Sequence, residues 1–357
     1  MAAIDAIFPL VLQEGASDLH IAPGHPPLIR VAEGLVPLQG DPLTGELTSQ
    51  FLREMMTSTQ EAYFDEQKEI DFAYEVPGTV RLRCNIFNQV HGMAGVFRVV
   101  PDTLPSPEAL GIPPEIMRFC DLPRGLVLVT GATGSGKSTT LAAMINEINL
   151  KHNKHILTVE DPIEFVHENH RSLVNQREVG SNTLSFSNAL RSALREDPDI
   201  ILVGEMRDLE TMRLAITAAE TGHLVFGTLH TNSAAGAVDR IIDAFPAEEQ
   251  SQVRVMLAES LRGVVAQRLL PHKSGKGRVG VYEILVNTSA MANVIRESRS
   301  HQIDGMMQTG RKDGMMTLDQ SLHLLVDSDK LSAAEAARHA GNPGAFQTDT
   351  WNEPVTA

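Results

Sequence analysis

Gly131-Ala132-Thr133-Gly134-Ser135-Gly136-Lys137-Ser138 decides the fold of this chain. The stretch follows an apolar run, Gly125 to Thr130, and opens a helical one, Ser138 to Asn149. A glycine-rich turn between a buried strand and a helix is the setting of a phosphate-binding loop. Its glycines let backbone N–H groups curl around phosphate, and the helix N-terminus adds positive potential. Lys137 neutralises outer phosphate charge and Ser138 can ligate magnesium. Gly131, Thr133, Gly134, Ser135, Gly136, Lys137, Ser138 and Thr139 are therefore the candidate nucleotide-binding residues, with ATP and Mg2+ as the implied cofactors.

Three further apolar runs read as buried strands: His155 to Val159, Asp199 to Val203 and His223 to Thr228. Helical stretches separate them, clearest at Asp208 to Glu220, so right-handed crossovers and a largely parallel, doubly wound α/β sheet are expected. In such sheets ligands bind at the carboxyl ends of the strands. Those ends carry Glu160-Asp161-Pro162-Ile163-Glu164, Gly204-Glu205 and His230. A carboxylate among the first group can polarise attacking water. Glu205 suits the magnesium shell, directly or through water, and His230 can contact a γ-phosphate. Convergence of these groups with the glycine loop points to nucleotide hydrolysis.

The remaining sequence sets bounds. The 357 residues are enough for two domains. Hydrophobic residues make up 42% and charged residues 21%, a balance that excludes a disordered or membrane-embedded chain. A formal net charge of -15 and 4% aromatic residues argue against a nucleic-acid translocase. Cys84 and Cys120 are too few for a four-thiolate zinc site or a disulfide framework. Met1 to Leu12 lacks a basic leader and a cleavage pattern, and no apolar run spans a bilayer, so a cytoplasmic protein without membrane insertion is expected.

A first domain, 1–100, reads as small and α+β, with a helix near Thr48 to Glu61. In it Val80, Leu82, Cys84 and Ile86 alternate with Arg81, Arg83 and Asn85, so one strand face is buried and the other presents arginines. Together with Arg98, these are candidates for stabilising charge on a transferring phosphoryl group. Five prolines between Val100 and Pro114 mark a linker, 101–114. The α/β domain is expected over 115–288, a helical region over 289–340 with helices near Ser289 to Ser298 and Thr317 to Ser328, and a mobile polar tail over 341–357.

Taken together, the motifs resemble the secretion ATPase superfamily, and within it the PilT family of type IV pilus retraction motors. The resemblance runs through Ser17-Asp18-Leu19-His20, Pro27-Leu28-Ile29-Arg30, the phosphate loop, Glu160 to Phe165 and Arg191 to Asp197. It continues through Gly204-Glu205-Met206-Arg207-Asp208, Thr221-Gly222-His223 and His230-Thr231. It implies a RecA-like P-loop ATPase core with a smaller PAS-like N-terminal domain and C-terminal helices. A homohexamer, contact with the inner-membrane platform protein of the pilus machine and a peripheral place at the inner face of the cytoplasmic membrane are implied as well.

The resemblance also assigns Glu164 as the water-activating base, Glu205 to magnesium and hydrolysis, and Arg83 and Arg98 as arginine fingers. Extension motors of this superfamily usually carry a four-cysteine zinc module that two cysteines cannot build, which favours retraction. One arginine of the family's C-terminal signature is replaced by Ala292 in Ala290-Met291-Ala292-Asn293-Val294-Ile295-Arg296. An accessory retraction paralogue, or a nucleotide-gated scaffold with little turnover, is the alternative.

Overall fold

A computed structural model describes residues 2–31, 34–100 and 104–346. The chain forms two compact units. One comprises Met1–Leu104 and Pro162–Val166, the other Pro105–Asp161 and His167–Ala357.

The first unit is built on a six-stranded antiparallel sheet. Its strands are β1 (Asp18–Ile21), β2 (Leu28–Val31), β3 (Gly34–Pro37), β4 (Glu69–Val76), β5 (Val80–Gln89) and β6 (Gly92–Val100), in the order β3-β2-β1-β6-β5-β4. Period-2 alternation gives β5 its two faces, with Val80, Leu82, Cys84 and Ile86 buried and Arg83 exposed. Burial pushes the Cys84 thiol well up, so it stays an inert, protonated core residue. The core gathers Leu19, Leu52, Phe64 and Leu82 around an edge-to-face pair of Phe8 and Phe97, 6.0 Å between centroids.

The single helix expected near Thr48 to Glu61 is two helices, Gly45–Glu54 and Ser58–Gln67. Thr57 restarts the chain, because its hydroxyl accepts from Gln60 N while the Gln60 side chain answers the Thr57 N–H, a capping box.

In the second unit a seven-stranded sheet has the order β13-β12-β7-β11-β10-β8-β9. Its strands are β7 (Gly125–Thr130), β8 (His155–Glu160), β9 (Leu173–Glu178), β10 (Ile200–Val203), β11 (Leu224–Leu229), β12 (Leu261–Pro271) and β13 (Arg278–Val286). All neighbours run parallel except the β12–β13 hairpin. Every residue of β7, β10 and β11 is buried, as strands covered on both faces require. This is the α/β architecture of a RecA-like core, with helices Lys137–Lys151, Leu209–Glu220 and Ala234–Asp243 among its connections.

The four strands read from sequence are present, with Asp199 and His223 standing one residue before β10 and β11. The hairpin of β12 and β13 extends the sheet where no strand is marked in the sequence. The proline-rich stretch 101–114 starts outside the described residues, at 101–103, and from Pro105 onward packs with the second unit.

The tail reading needs correction over its first residues. Gly341 N and Asn342 N donate to the Asp319 carboxylate at 2.8 and 3.0 Å, and the buried Phe346 ring stacks on His323 at 4.0 Å. These contacts hold Gly341 to Phe346 against the helix Leu318–Asp327; residues 347–357 lie outside the described part.

Gly263 is where β12 shifts register against β7. A Cβ there would come within 2.2 Å of Phe119 Cζ and 2.9 Å of Leu285 O. Gly263→Ala should therefore cost about 1–3 kcal/mol through overpacking. Thermal unfolding checks this: the midpoint is expected to fall by several degrees, and an unchanged midpoint contradicts the close approach.

Candidate functional site

The site of the second unit starts from a helix end without a side-chain cap. Gly136 opens the helix Lys137–Lys151 in the left-handed region, at φ 88°, and offers no side chain to cap it. The first-turn N–H groups therefore face outward as anion donors, aligned with the helix dipole. Gly131 at φ 150° and Gly134 at φ 77° complete the curl of the loop. Lys137, only 9% exposed, folds back and donates from Nζ to the carbonyls of Gly131 at 2.8 Å and Ala132 at 3.1 Å. Ser135 Oγ is buried with no hydrogen-bond partner among the described residues. An orphaned hydroxyl, a buried ammonium and an uncapped helix end in one loop fit phosphate oxygens.

Strand β12 braces this loop. A Cβ at Gly131 would meet Gln267 O at 2.3 Å, and one at Gly136 would meet Gln267 Nε2 at 2.9 Å. The buried Gln267 side chain accepts from Thr140 Oγ1 at 2.8 Å, which pins the first helical turn. At the end of β7, the Thr130 hydroxyl accepts from Thr231 N at 2.8 Å and lies 2.8 Å from both Thr231 oxygens. The loop start is thereby tied to the segment after β11.

Glu205 follows β10. Its Oε1 receives Arg207 Nε at 2.5 Å and His230 Nε2 at 2.9 Å. Burial pushes the Glu205 carboxyl up, but the Arg207 guanidinium and the His230 ring outweigh it and hold the group below the usual carboxylate range. Glu205 is thus ionised at neutral pH, with Oε1 engaged by both partners. The bond to Glu205 also fixes the ring, since His230 donates through a protonated Nε2. Thr228 Oγ1 donates to Gly204 O, locking the ends of β10 and β11 together. On β8, Glu160 accepts from Thr158 Oγ1 at 2.6 Å and Gln176 Nε2 at 3.2 Å.

The cluster so formed brings Gly131 to Thr139, Glu160, Glu205 and His230 to the carboxyl ends of β7, β8, β10 and β11. Glu164, Arg83 and Arg98 are carried by the first unit instead. Glu164 sits in Pro162–Val166, four residues beyond the end of β8, with Ile163 buried beside it. Arg98 Nε donates to Asp18 Oδ1 at 2.9 Å. Arg83 stands opposite Arg98 on the neighbouring strand and has no side-chain partner among the described residues. His223 begins the segment of β11, at the far end of the sheet from the cluster, and its ring caps the helix Leu209–Glu220 through Ala218 O at 2.9 Å. No sequence motif marks Gln267 or Thr130 as part of the site. Arg207 lies inside the Gly204 to Asp208 stretch that carries the family resemblance, and its pairing with Glu205 is what the structure adds.

Residues 1–338 match the model of the type II/IV secretion system protein family. The type IV pilus retraction ATPase PilT of Pseudomonas aeruginosa is 54% identical over 94% of this chain and 97% of its own length. The chain belongs to this family of secretion ATPases. A twitching motility protein of Neisseria gonorrhoeae is 52% identical over 88% of this chain and 84% of its own. A crystal structure of the pilus retraction motor PilT with bound ADP superposes with a TM-score of 0.90 at 43% identity, covering 97% of this chain and 98% of that one. This secretion ATPase is accordingly a P-loop enzyme that binds nucleotide. No described helix is long and apolar enough to cross a membrane.

Because the Gly131 backbone lies against Gln267 O, Gly131→Ala must displace the loop of the secretion ATPase. Nucleotide affinity should drop at least about tenfold, ~1.4 kcal/mol, in a calorimetric ADP titration. Unchanged affinity contradicts the described bracing.

Proposed function

We propose that this ATPase drives type IV pilus retraction. In this reading it works as a homohexamer at the cytoplasmic face of the inner membrane, docked on the platform protein of the pilus machine. The observation that carries the reading is 54% identity to PilT through 94% of the chain, which includes the phosphate loop, Glu205 and His230.

The residues divide the chemistry. The loop from Gly131 to Thr139 and the Lys137 ammonium take up the negative charge of the β- and γ-phosphates. Ser138 and the ionised Glu205 would hold Mg2+, which when bound supplies charge neutralisation between those phosphates. Glu164, half-buried, acts as the base that orients and deprotonates water. His230, fixed by Glu205, contacts the γ-phosphate.

Arg83 and Arg98 suit the finger role for a physical reason. Like charges placed directly opposite on adjacent strands repel. Asp18 offsets only one of them, so the pair is left with a positive excess that a phosphoryl group gaining charge in the transition state would relieve.

Deleting the gene tests the reading in cells. Cells that lose a retraction motor should carry excess, immobile pili and stop twitching. Wild-type chain should restore movement, whereas Glu164→Gln, which keeps nucleotide binding but loses about 100-fold or more in turnover, should not. Loss of all pili would contradict retraction. Persistent retraction after deletion would assign the chain to an accessory or scaffold role, the alternative that Ala292 leaves on the helix Ser289–Arg296.

A further inference from the structure

His230 owes its aim to a short turn, Thr231 to Ser233, that leads into the helix Ala234–Asp243. One anchor of that turn is the Thr130 hydroxyl, which accepts from Thr231 N. The other anchor comes from the hairpin. Glu283 on β13 accepts from Ala234 N at 2.6 Å, and Arg268 on β12 donates from Nη2 to Asn232 O at 3.3 Å. One carboxylate and one guanidinium thus grip a donor and an acceptor of the same backbone turn.

The carboxylate is well placed for this. Ala234 is the first residue of its helix, so Glu283 satisfies an orphan N–H and sits where the helix dipole favours negative charge. Ser233 Oγ caps the same end through Gly236 N at 3.1 Å. Arg268 also reaches His339 O at 3.4 Å, so the last turn of the helix Ala333–His339 shares the clip. Among the described residues neither Glu283 nor Arg268 hydrogen-bonds to the phosphate loop, yet two residues upstream of Asn232 the chain delivers His230 to Glu205 at 2.9 Å.

We infer that Glu283, with Arg268, is a positioning residue for ATP hydrolysis: it fixes the turn that aims His230 at Glu205. The inference rests on the reading that the His230–Glu205 pair acts in turnover. Glu283 and Arg268 lie outside the phosphate loop and outside every stretch that carries the family resemblance.

Steady-state hydrolysis and ADP binding of the full-length chain test it. Glu283→Ala removes the acceptor and should lower kcat about tenfold or more while ADP affinity stays within about threefold of wild type. Glu283→Gln keeps an acceptor oxygen of the same reach and should hold kcat within about twofold. Glu283→Asp keeps the charge but falls one methylene short, and should resemble Glu283→Ala; it decides the outcome if the alanine chain does not fold.

In a His230→Ala background, Glu283→Ala should cause no further loss, because the two then act through one group. Wild-type kcat in both Glu283→Ala and Glu283→Asp overturns the inference, as does full additivity with His230→Ala. Unchanged turnover in His230→Ala by itself overturns the underlying reading of His230 and the inference with it. Loss in His230→Ala alongside normal Glu283 variants overturns the inference only.

Discussion

The site of the second unit is organised around a helix whose N-cap, Gly136, offers its first N–H groups no side-chain cap. Left in water, these donors are solvated and weak as an anion site. Held at the end of a buried strand and backed by another strand, they become fixed dipoles that need no reorganisation when phosphate arrives. Gly131 makes this possible because the loop backbone presses against Gln267 O more closely than any side chain allows, and Gly136 turns left-handed beside the Gln267 amide. The same closeness makes β12 part of the site although it contributes no residue of a recognised motif.

Hydroxyl groups carry that constraint sideways. Thr130 binds the turn after β11, Thr228 binds the Gly204 carbonyl after β10, and Thr158 binds Glu160 at the end of β8. Each contact satisfies a polar group at a strand end, where the sheet ladder stops. Their joint effect is that the loops bearing Lys137, Glu205 and His230 form one hydrogen-bonded rim.

How much of this is legible in the sequence depends on local signals. The run from Gly125 to Ser138 announces strand, loop and helix at once, since apolar residues, glycines and a lysine follow one another without ambiguity. β12 gives no such notice: the helix Gln250–Ser260 passes into it at Leu261 without a glycine, proline or turn residue between them. The hairpin escapes a sequence reading for that reason, and Gln267, Arg268 and Glu283 are hidden with it. Glu164 illustrates the opposite failing. Its nearness to β8 in sequence suggests the strand end, whereas Pro162–Val166 packs with the first unit and Glu160 occupies the strand end itself. β9 is equally silent because its half-polar residues, Asn175 to Glu178, show no apolar run.

In the proposed function the two units divide the labour of an ATPase, with the phosphate cluster on one and Glu164, Arg83 and Arg98 on the other. In that reading each hydrolysis event is coupled to mechanical movement. The most direct measurement is the retraction speed of labelled pili in cells whose only copy is wild type or Arg83→Ala, set against the turnover of the same purified chains. The account predicts that speed falls in step with turnover. Retraction at wild-type speed by a chain whose turnover has collapsed would contradict it.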